Sequence, residues 1–281
     1  MRNLTTLGLL CLAIACARAP EGPVQLMLMQ PSDAAGLAYS AEMLQSIVFE
    51  SPSGVLNAER EYQIRFQFDD AQARGGDSVS VSARLDSVRA IMVSPHGRQV
   101  VDTRILHGKT FAFTYARIGG APTYPSAPPA ADFGMFGGAF PVSIMVDFLF
   151  PPMPDQPVQV GDAWERVHVR RQVDGGATPT EGSITSRYTF AGFEKRAGAW
   201  LARLEVAGSG ALVGADAHSE TATDGAGTLE ATGFILLGVA DGIVREVSLQ
   251  ESVTAPATMG GSPGTRRQTT SFHITAVASG G

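Results

Sequence analysis

The period of two in the apolar residues constrains the fold of this chain more than any other feature of its sequence. From residue 60 onward apolar and polar residues alternate, which places one apolar row on a single face of a β-strand. Three such rows stand in the first half: Tyr62, Ile64, Phe66, Phe68; Val79, Val81, Ala83, Leu85; Phe111, Phe113, Tyr115. Glycine-containing stretches separate them and favour turns. The pattern predicts an antiparallel meander with one solvated face.

The second half repeats this pattern in six further segments: 164–173, 183–193, 199–207, 227–239, 243–254 and 266–278. Gly and Asp residues between them predict tight connections. Both halves together predict roughly ten to twelve strands at the spacing of sandwiches and barrels. No strand–helix–strand alternation is present, which argues against a parallel sheet. The expected fold is all-β and mainly antiparallel, a half-open barrel or sandwich with one or two short helices, in which residues 24–118 and 141–279 form one domain.

Four segments depart from this regular pattern. Residues 24–30 predict a short strand, whereas 32–48 carry Leu37, Ala41, Leu44 and Val48 at helical spacing and predict a helix or irregular chain. Residues 119–140 are rich in Pro and Gly, as expected of a linker or mobile flap. Residues 141–150 are almost wholly apolar and predict a buried strand or a short helix.

The N-terminus predicts export. Arg2 and an apolar run too short to cross a bilayer are typical of a secretory signal, and "LAIAC" resembles the bacterial lipoprotein signal. We expect residues 1–15 to be removed, Cys16 to carry lipid and residues 16–23 to form a tether. Cleavage after residue 19 is the alternative. Both products lack a cysteine pair, so no disulfide stabilises the body.

The expected location is therefore the bacterial cell envelope, with the membrane as partner through the lipid anchor. Ala17, which follows the cysteine in place of an aspartate, resembles the outer-membrane sorting pattern. The alternative is a periplasmic or secreted protein. Formal net charge −6 gives no electrostatic reason to expect nucleic acid. No cofactor is expected, and the sequence identifies no protein partner.

One phrase, "FPPMPDQPVQVGDAW", carries a family resemblance. With the β-rich stretch that follows, over residues 150–253, it resembles uncharacterised bacterial secreted and lipoprotein families with a V-x-V-G-D-x-W phrase, here Gly161, Asp162 and Trp164. The resemblance implies no catalytic residue. We expect Gly161 to turn the chain into a strand, Asp162 to bind local backbone N–H groups and Trp164 to enter the core. Envelope lipoprotein carriers, built as a curved sheet around an apolar hollow, are a more distant architectural analogy.

Motifs for catalysis are weak. "GGSPG" formally matches the hydrolase elbow at Ser262, but Pro263 has no N–H to offer an oxyanion. The histidines show no metal-ligand spacing, and the loop carboxylates fail the calcium pattern. These side chains are His96, His107, His168, His218 and His273, and Asp216, Glu220 and Asp224. Arg166, His168 and Arg170 predict a solvated outer face or a contact with anionic lipid headgroups, with Arg171 on the other side.

Three functional classes remain open on the sequence alone. The first is a non-catalytic protein that binds an apolar or lipid-like ligand in the curved sheet, on a face formed by Phe66, Phe68, Phe111, Phe113 and Tyr115, with Phe133 and Phe136 in the flap. The same rings would also serve simply to fill the core. The second class is a structural or protein-interaction component of the envelope. The third is a secreted enzyme without a recognisable motif.

Overall fold

The structure is a computed structural model, which describes residues 19–95, 97–119, 121–132, 139–172, 180–214, 226–259 and 262–277. Its elements, in chain order, are α1 (Pro31–Ala34), β1 (Ala38–Ser51), β2 (Gly54–Gly75), β3 (Ser78–Ser94), β4 (Gly97–Val101), a 3-10 turn (Arg104–Leu106), β5 (Thr110–Ala116), β6 (Ala130–Asp132), β7 (Ala139–Pro141), α2 (Ser143–Leu149), β8 (Ala163–Gln172), β9 (Thr180–Arg196), β10 (Ala199–Gly214), β11 (Ala226–Gly238), β12 (Val244–Met259) and β13 (Ser262–Val277). The short strands β6 and β7 pair only with each other among the described residues.

The other eleven strands form one antiparallel sheet, which confirms the all-β class and the half-open architecture. The order is β4-β3-β2-β1-β13-β12-β11-β10-β9-β8, and β5 pairs with β3 beside β4. Within the described residues β8 does not pair with β4 or β5, so the sheet remains open between these two edges. The first and last strands of the sheet in chain order, β1 and β13, are neighbours at its centre.

The alternation of the sequence sets the inner face of the sheet. Tyr62, Ile64, Phe66 and Phe68 are buried, whereas Gln63 between them is exposed. The close approach of β11 and β12 requires one position without a side chain. A Cβ on Gly233 in β11 would lie 2.0 Å from the backbone oxygen of Ser248 in β12, so only glycine permits this approach.

The prediction for residues 32–48 was wrong. Only Pro31–Ala34 form a helical turn, and Ala38–Ser51 form the central strand β1. The inward row of β1 contains Gln45 between Met43 and Ile47, so a polar residue interrupts its apolar alternation. Leu44, which contributed to the helical spacing, points outward and is 49% exposed.

Residues 24–30 also differ from the prediction, because they lie outside the sheet. We call them the N-terminal strap. Val24 and Val158 exchange two backbone hydrogen bonds of 2.9 Å, and the Leu28 amide donates to the Arg117 oxygen at 3.0 Å. Arg117 follows β5 and Val158 precedes β8, so the strap spans the opening between the two sheet edges. Leu26, Leu28 and Met29 of the strap are themselves fully buried.

We call the end of the sheet that carries the strap the strap end. It also contains the turns between β2 and β3, between β9 and β10, and between β11 and β12. The opposite end, which we call the far end, carries the turns between β1 and β2 and between β3 and β4. At the strap end Gly242 packs against the strap, since a Cβ there would lie 2.5 Å from the Met27 oxygen.

This contact predicts that replacing Gly242 by alanine destabilises the protein more than the same replacement of Gly76, a glycine of similar conformation. Gly242 has φ +67° and Gly76 has φ +56°, but a Cβ on Gly76 meets nothing within 4 Å. We expect Gly76→Ala to cost about 1 kcal/mol, the penalty of left-handed backbone. Gly242→Ala should cost roughly 1–3 kcal/mol more, because the methyl group clashes with the strap. Urea unfolding of both variants measures this, and equal midpoints would show that the strap does not pack on this turn.

Candidate functional site: the aromatic inner face and its cover

The five aromatic residues proposed from the sequence as a ligand face lie together on the inner side of the sheet. Ring centroids are 5.9 Å apart for Phe66 and Phe68, 5.7 Å for Phe68 and Phe113, 6.2 Å for Phe111 and Phe113, and 6.4 Å for Phe113 and Tyr115. All five side chains are buried. The sequence pattern therefore placed this set correctly on one face.

The rings meet across an intervening strand. β3 lies between β2 and β5, and its Ala83 is opposite both Phe68 and Phe111. The small side chain of Ala83 leaves room above β3, and the large rings from both sides fill it. This combination of small and large residues gives a continuous aromatic surface without overpacking.

The protein itself covers this surface. We call α2 and residues 150–158 the cover. Phe150 stands at its centre, with ring centroids 4.4 Å from Tyr115, 5.0 Å from Phe113 and 5.9 Å from Phe68. The sequence analysis did not single out Phe150, because this residue lies in an almost wholly apolar run without alternation.

Prolines limit α2 to seven residues. Pro141 precedes the helix, and Pro151 and Pro152 follow it closely. Met145, Val146 and Leu149 of the helix are buried. Phe148 is half-buried and packs edge-to-face on Phe272 of β13, at 4.9 Å between centroids. The alternative of a short helix, left open by the sequence, is thus the one observed.

Polar anchors hold the cover in place. The Tyr124 hydroxyl donates to Asp147 Oδ1 at 2.8 Å. The Trp164 indole N–H donates to the Pro152 oxygen at 2.8 Å, and the Gln25 amide donates to the Pro154 oxygen at 3.0 Å. Tyr124 belongs to the proline-rich stretch, of which residues 121–124 lie against β5 through the bridge of Thr123 with Thr114.

The Gly-Asp-x-Trp phrase begins edge strand β8. Gly161 has φ +97°. Asp162 Oδ2 accepts a hydrogen bond of 2.8 Å from the backbone N–H of Gln159, as the sequence predicted. Trp164 stacks on Tyr188 at 5.8 Å with an interplanar angle of 15°. It is half-buried rather than fully inside the core, because it lies at the edge of the sheet and faces Pro152. The phrase thus fixes the cover as well as the strand.

Arg166, the first residue of the basic run on β8, lies on the opposite side from that expected. Trp164 packs on the core, and Arg166 shares its face and lies 3.6 Å from Asp155 of the cover. Val167, in contrast, is 66% exposed. The expectation of a solvated outer face for Arg166 was wrong, because Trp164 sets the orientation of the strand. The side chains of His168, Arg170 and Arg171 lie outside the described residues.

Tyr39 of β1 completes the aromatic cluster, with centroids 5.5 Å from both Phe66 and Phe68. Burial raises the pKa of Tyr39 far above its ordinary value, and the nearby Arg245 only partly opposes this. Its hydroxyl has no hydrogen-bond partner in the described part of the chain. Burial also raises the pKa of Tyr188 to about 12. The tyrosines of this interior are therefore neutral at ordinary pH.

A row of polar residues crosses the inner face next to the aromatic cluster, on its far-end side. Arg60 Nη1 donates to Gln45 Oε1 at 2.8 Å, and Gln45 Nε2 donates to Thr270 Oγ1 at 3.3 Å. In the neighbouring strand β12, Glu251 lies opposite Thr270, and its side chain is buried. The hydrogen-bonded polar row thus interrupts the apolar inner face, which continues in β1 at Ile47 and Phe49.

The outer face of the sheet carries a groove of about 630 Å³ that crosses strands β2, β1, β13, β12 and β11. Glu42, Leu44, Glu61, Phe234 and His273 are among its lining residues. The groove therefore lies on the side opposite the aromatic cluster. Arg98 forms an ion pair with Glu61, with 3.1 Å between Nη2 and Oε2. The guanidinium carbon of Arg203 lies 4.0 Å from the centre of the Phe234 ring.

The remaining sequence candidates do not come together. Ser262 opens β13, directly after β12, so its surroundings are strand-to-strand rather than strand-to-helix. His107 Nε2 lies 3.0 Å from the Val88 oxygen, and His273 lies 3.9 Å from Glu246 on the outer face. Among the described residues no group of three or more His, Cys, Asp or Glu is placed to hold a metal ion. Outside them lie Cys16, His96, His218, Phe133, Phe136, Asp216, Glu220 and Asp224.

Comparisons add no assignment: a scan against protein-family models and a search of curated proteins both found no match. Within the residues that the structure describes, no helix has the length and apolar character to cross a membrane.

Two buried tyrosines of the cluster predict opposite effects of removing a hydroxyl. Tyr115 donates to the Met29 oxygen at 2.9 Å, so Tyr115→Phe should cost about 1–3 kcal/mol. Tyr39→Phe removes a hydroxyl without a partner among the described residues and should be neutral or stabilising by up to about 1 kcal/mol. Thermal unfolding of both variants measures the difference. A loss of stability in Tyr39→Phe equal to that in Tyr115→Phe would contradict the assignment.

Proposed function

We propose that this chain is an exported, lipid-anchored protein of the bacterial envelope, without catalytic activity, that binds an apolar lipid-like ligand on the inner face of its open sheet. One observation carries the proposal. The aromatic face of Phe66, Phe68, Phe113 and Tyr115 is covered by a seven-residue helix and a proline-rich segment rather than by a second sheet.

Such a cover separates from the sheet without breaking its strand ladders. An isolated helix of seven residues is unstable in water, and the prolines after it lack the N–H groups that would tie them to a strand. Its polar anchors come from separate segments outside the cover and include the hydrogen bonds of Tyr124 with Asp147, Trp164 with Pro152 and Gly119 with Met153. The buried side chains of the cover, such as Leu149, Phe150 and Met153, oppose its opening, so the ligand must replace their apolar contacts.

The surface under the cover suits an acyl chain. It consists of aromatic rings and aliphatic side chains, and its tyrosines remain neutral because burial raises their pKa. An acyl chain that replaced Phe150 would exchange one apolar contact for another of similar area. The polar row of Arg60, Gln45 and Thr270 separates this surface from the buried apolar side chains farther along β1, Ile47 and Phe49.

A structural or protein-interaction role in the envelope is the second candidate. It is favoured by the close packing of Phe150 against Tyr115 and Phe113, which leaves the aromatic face filled by the protein's own side chains. In that case the cover never opens, and the aromatic residues serve only to stabilise the fold.

The lipid anchor is tested by Cys16→Ser. Serine has no sulfur to carry the lipid. The variant should therefore leave the membrane fraction for the soluble fraction, or accumulate as the uncleaved precursor. Fractionation with mass spectrometry of the N-terminus measures this. A wild-type protein that starts at an unmodified Pro20 would contradict the anchor.

The ligand function is tested by locking the cover with a reversible disulfide. Val24 and Val158 form a pair with two backbone hydrogen bonds, a geometry in which the Cα atoms lie about 5.5 Å apart and a disulfide fits. In Val24→Cys/Val158→Cys the oxidised protein should fail to take up a fluorescent fatty acid from vesicles, and a reductant should restore uptake. Stopped-flow fluorescence measures the uptake.

Leu44→Cys/Ser271→Cys is the matched control, because these residues face each other on the outer surface of β1 and β13. This pair should bind the fatty acid equally in both redox states. Native mass spectrometry of the wild-type protein from its own membranes should also show retained lipid. If the wild-type protein takes up no fatty acid and retains no lipid, the structural candidate replaces the ligand function.

A further inference from the structure

We propose that the strap end of the sheet docks on the lipid surface, so that the strap and the neighbouring turns contact the interfacial region of the bilayer. The inference rests on the lipid anchor of the proposed function and adds which surface of the body faces the membrane. It follows from where the tether joins the fold and from the side chains exposed there.

The tether is short compared with the sheet. Val24 is the first residue fixed to the body, through its bridge with Val158. The eight residue steps from Cys16 to Val24 reach at most about 28 Å when fully extended. Strand β12 has 16 residues and therefore spans about 50 Å. A body anchored at Cys16 cannot turn over and place its far end on the same membrane.

The strap end exposes side chains that suit a membrane interface. Met27 of the strap is 36% exposed, and Val160, in the turn before β8, is 62% exposed. On the β9–β10 hairpin the ammonium group of Lys195 lies 5.5 Å from the ring centre of the half-buried Trp200. Tryptophan, exposed aliphatic groups and a cation together match the chemistry of the headgroup region.

The exposure of apolar side chains does not by itself identify the strap end as the membrane-facing end. Val55 and Val100 at the far end are 60% and 66% exposed, and Leu44 on the outer face is 49% exposed. The point of attachment makes the difference, because it holds Met27 and Val160 near the bilayer and keeps the far end away. The prediction is thus a contrast between residues of similar exposure in different places.

Single cysteines test this contrast in the full chain as cells process it. Val160→Cys, Val55→Cys and Leu44→Cys replace exposed side chains, so the fold is not at risk, and the mature body contains no other free thiol. Each is labelled with an environment-sensitive fluorophore and combined with phosphatidylethanolamine–phosphatidylglycerol vesicles that carry brominated acyl chains. We expect several-fold stronger quenching at residue 160 than at residues 55 and 44.

Equal quenching at all three positions, stronger quenching at residue 55 or 44, or none at residue 160 would overturn the docking inference. Mass spectrometry of the N-terminus in the same samples reports on the anchor independently. Selective quenching at residue 160 in a protein without lipid supports docking and refutes the anchor. A lipidated protein without quenching at residue 160 retains the anchor and refutes docking.

Discussion

An open antiparallel sheet must cover its apolar inner face, and this requirement governs the rest of the structure. The ring of Phe150, packed between Phe68, Phe113 and Tyr115, covers the centre of this face. The cover brings Phe150 to this place, and the strap and Trp164 hold the cover at the sheet edges. Burying one phenylalanine stabilises a fold by about 1.5–3 kcal/mol, comparable to several surface ion pairs. Irregular segments thus perform the task that a second sheet has in a sandwich.

The sequence predicted those parts of the fold in which burial alternates strictly. In residues 62–68 of β2 and 111–115 of β5 every second residue is apolar and buried, so Phe66, Phe68, Phe111, Phe113 and Tyr115 were assigned to one face before their contacts were known. The turn chemistry of Gly161 and Asp162 was likewise predictable, because it depends on residues within four positions. Local patterns were sufficient wherever local physics determines the conformation.

The sequence was insufficient where distant residues decide. Gln45 is polar yet buried, because Arg60 and Thr270 satisfy its side chain, and this concealed the alternation of β1. Arg166 faces inward because Trp164 packs on Tyr188 and because Asp155 lies nearby. Phe150 and Tyr39 complete the aromatic face from segments without a readable period. In each case the decisive partner is remote in the chain.

The position of the strap has a consequence for the order in which the fold is assembled. Residue 24 is synthesised before nearly all of the chain, yet Val24 has its hydrogen-bond partner at Val158, and β1 has its second neighbour in β13. β1 must therefore wait until the chain is almost complete, and the strap must wait for residue 158. Its apolar side chains, such as Leu26 and Leu28, remain without their native shelter during this interval. Exposed apolar segments promote aggregation of unfinished chains, and the lipid anchor proposed above would reduce it by holding this segment beside a bilayer.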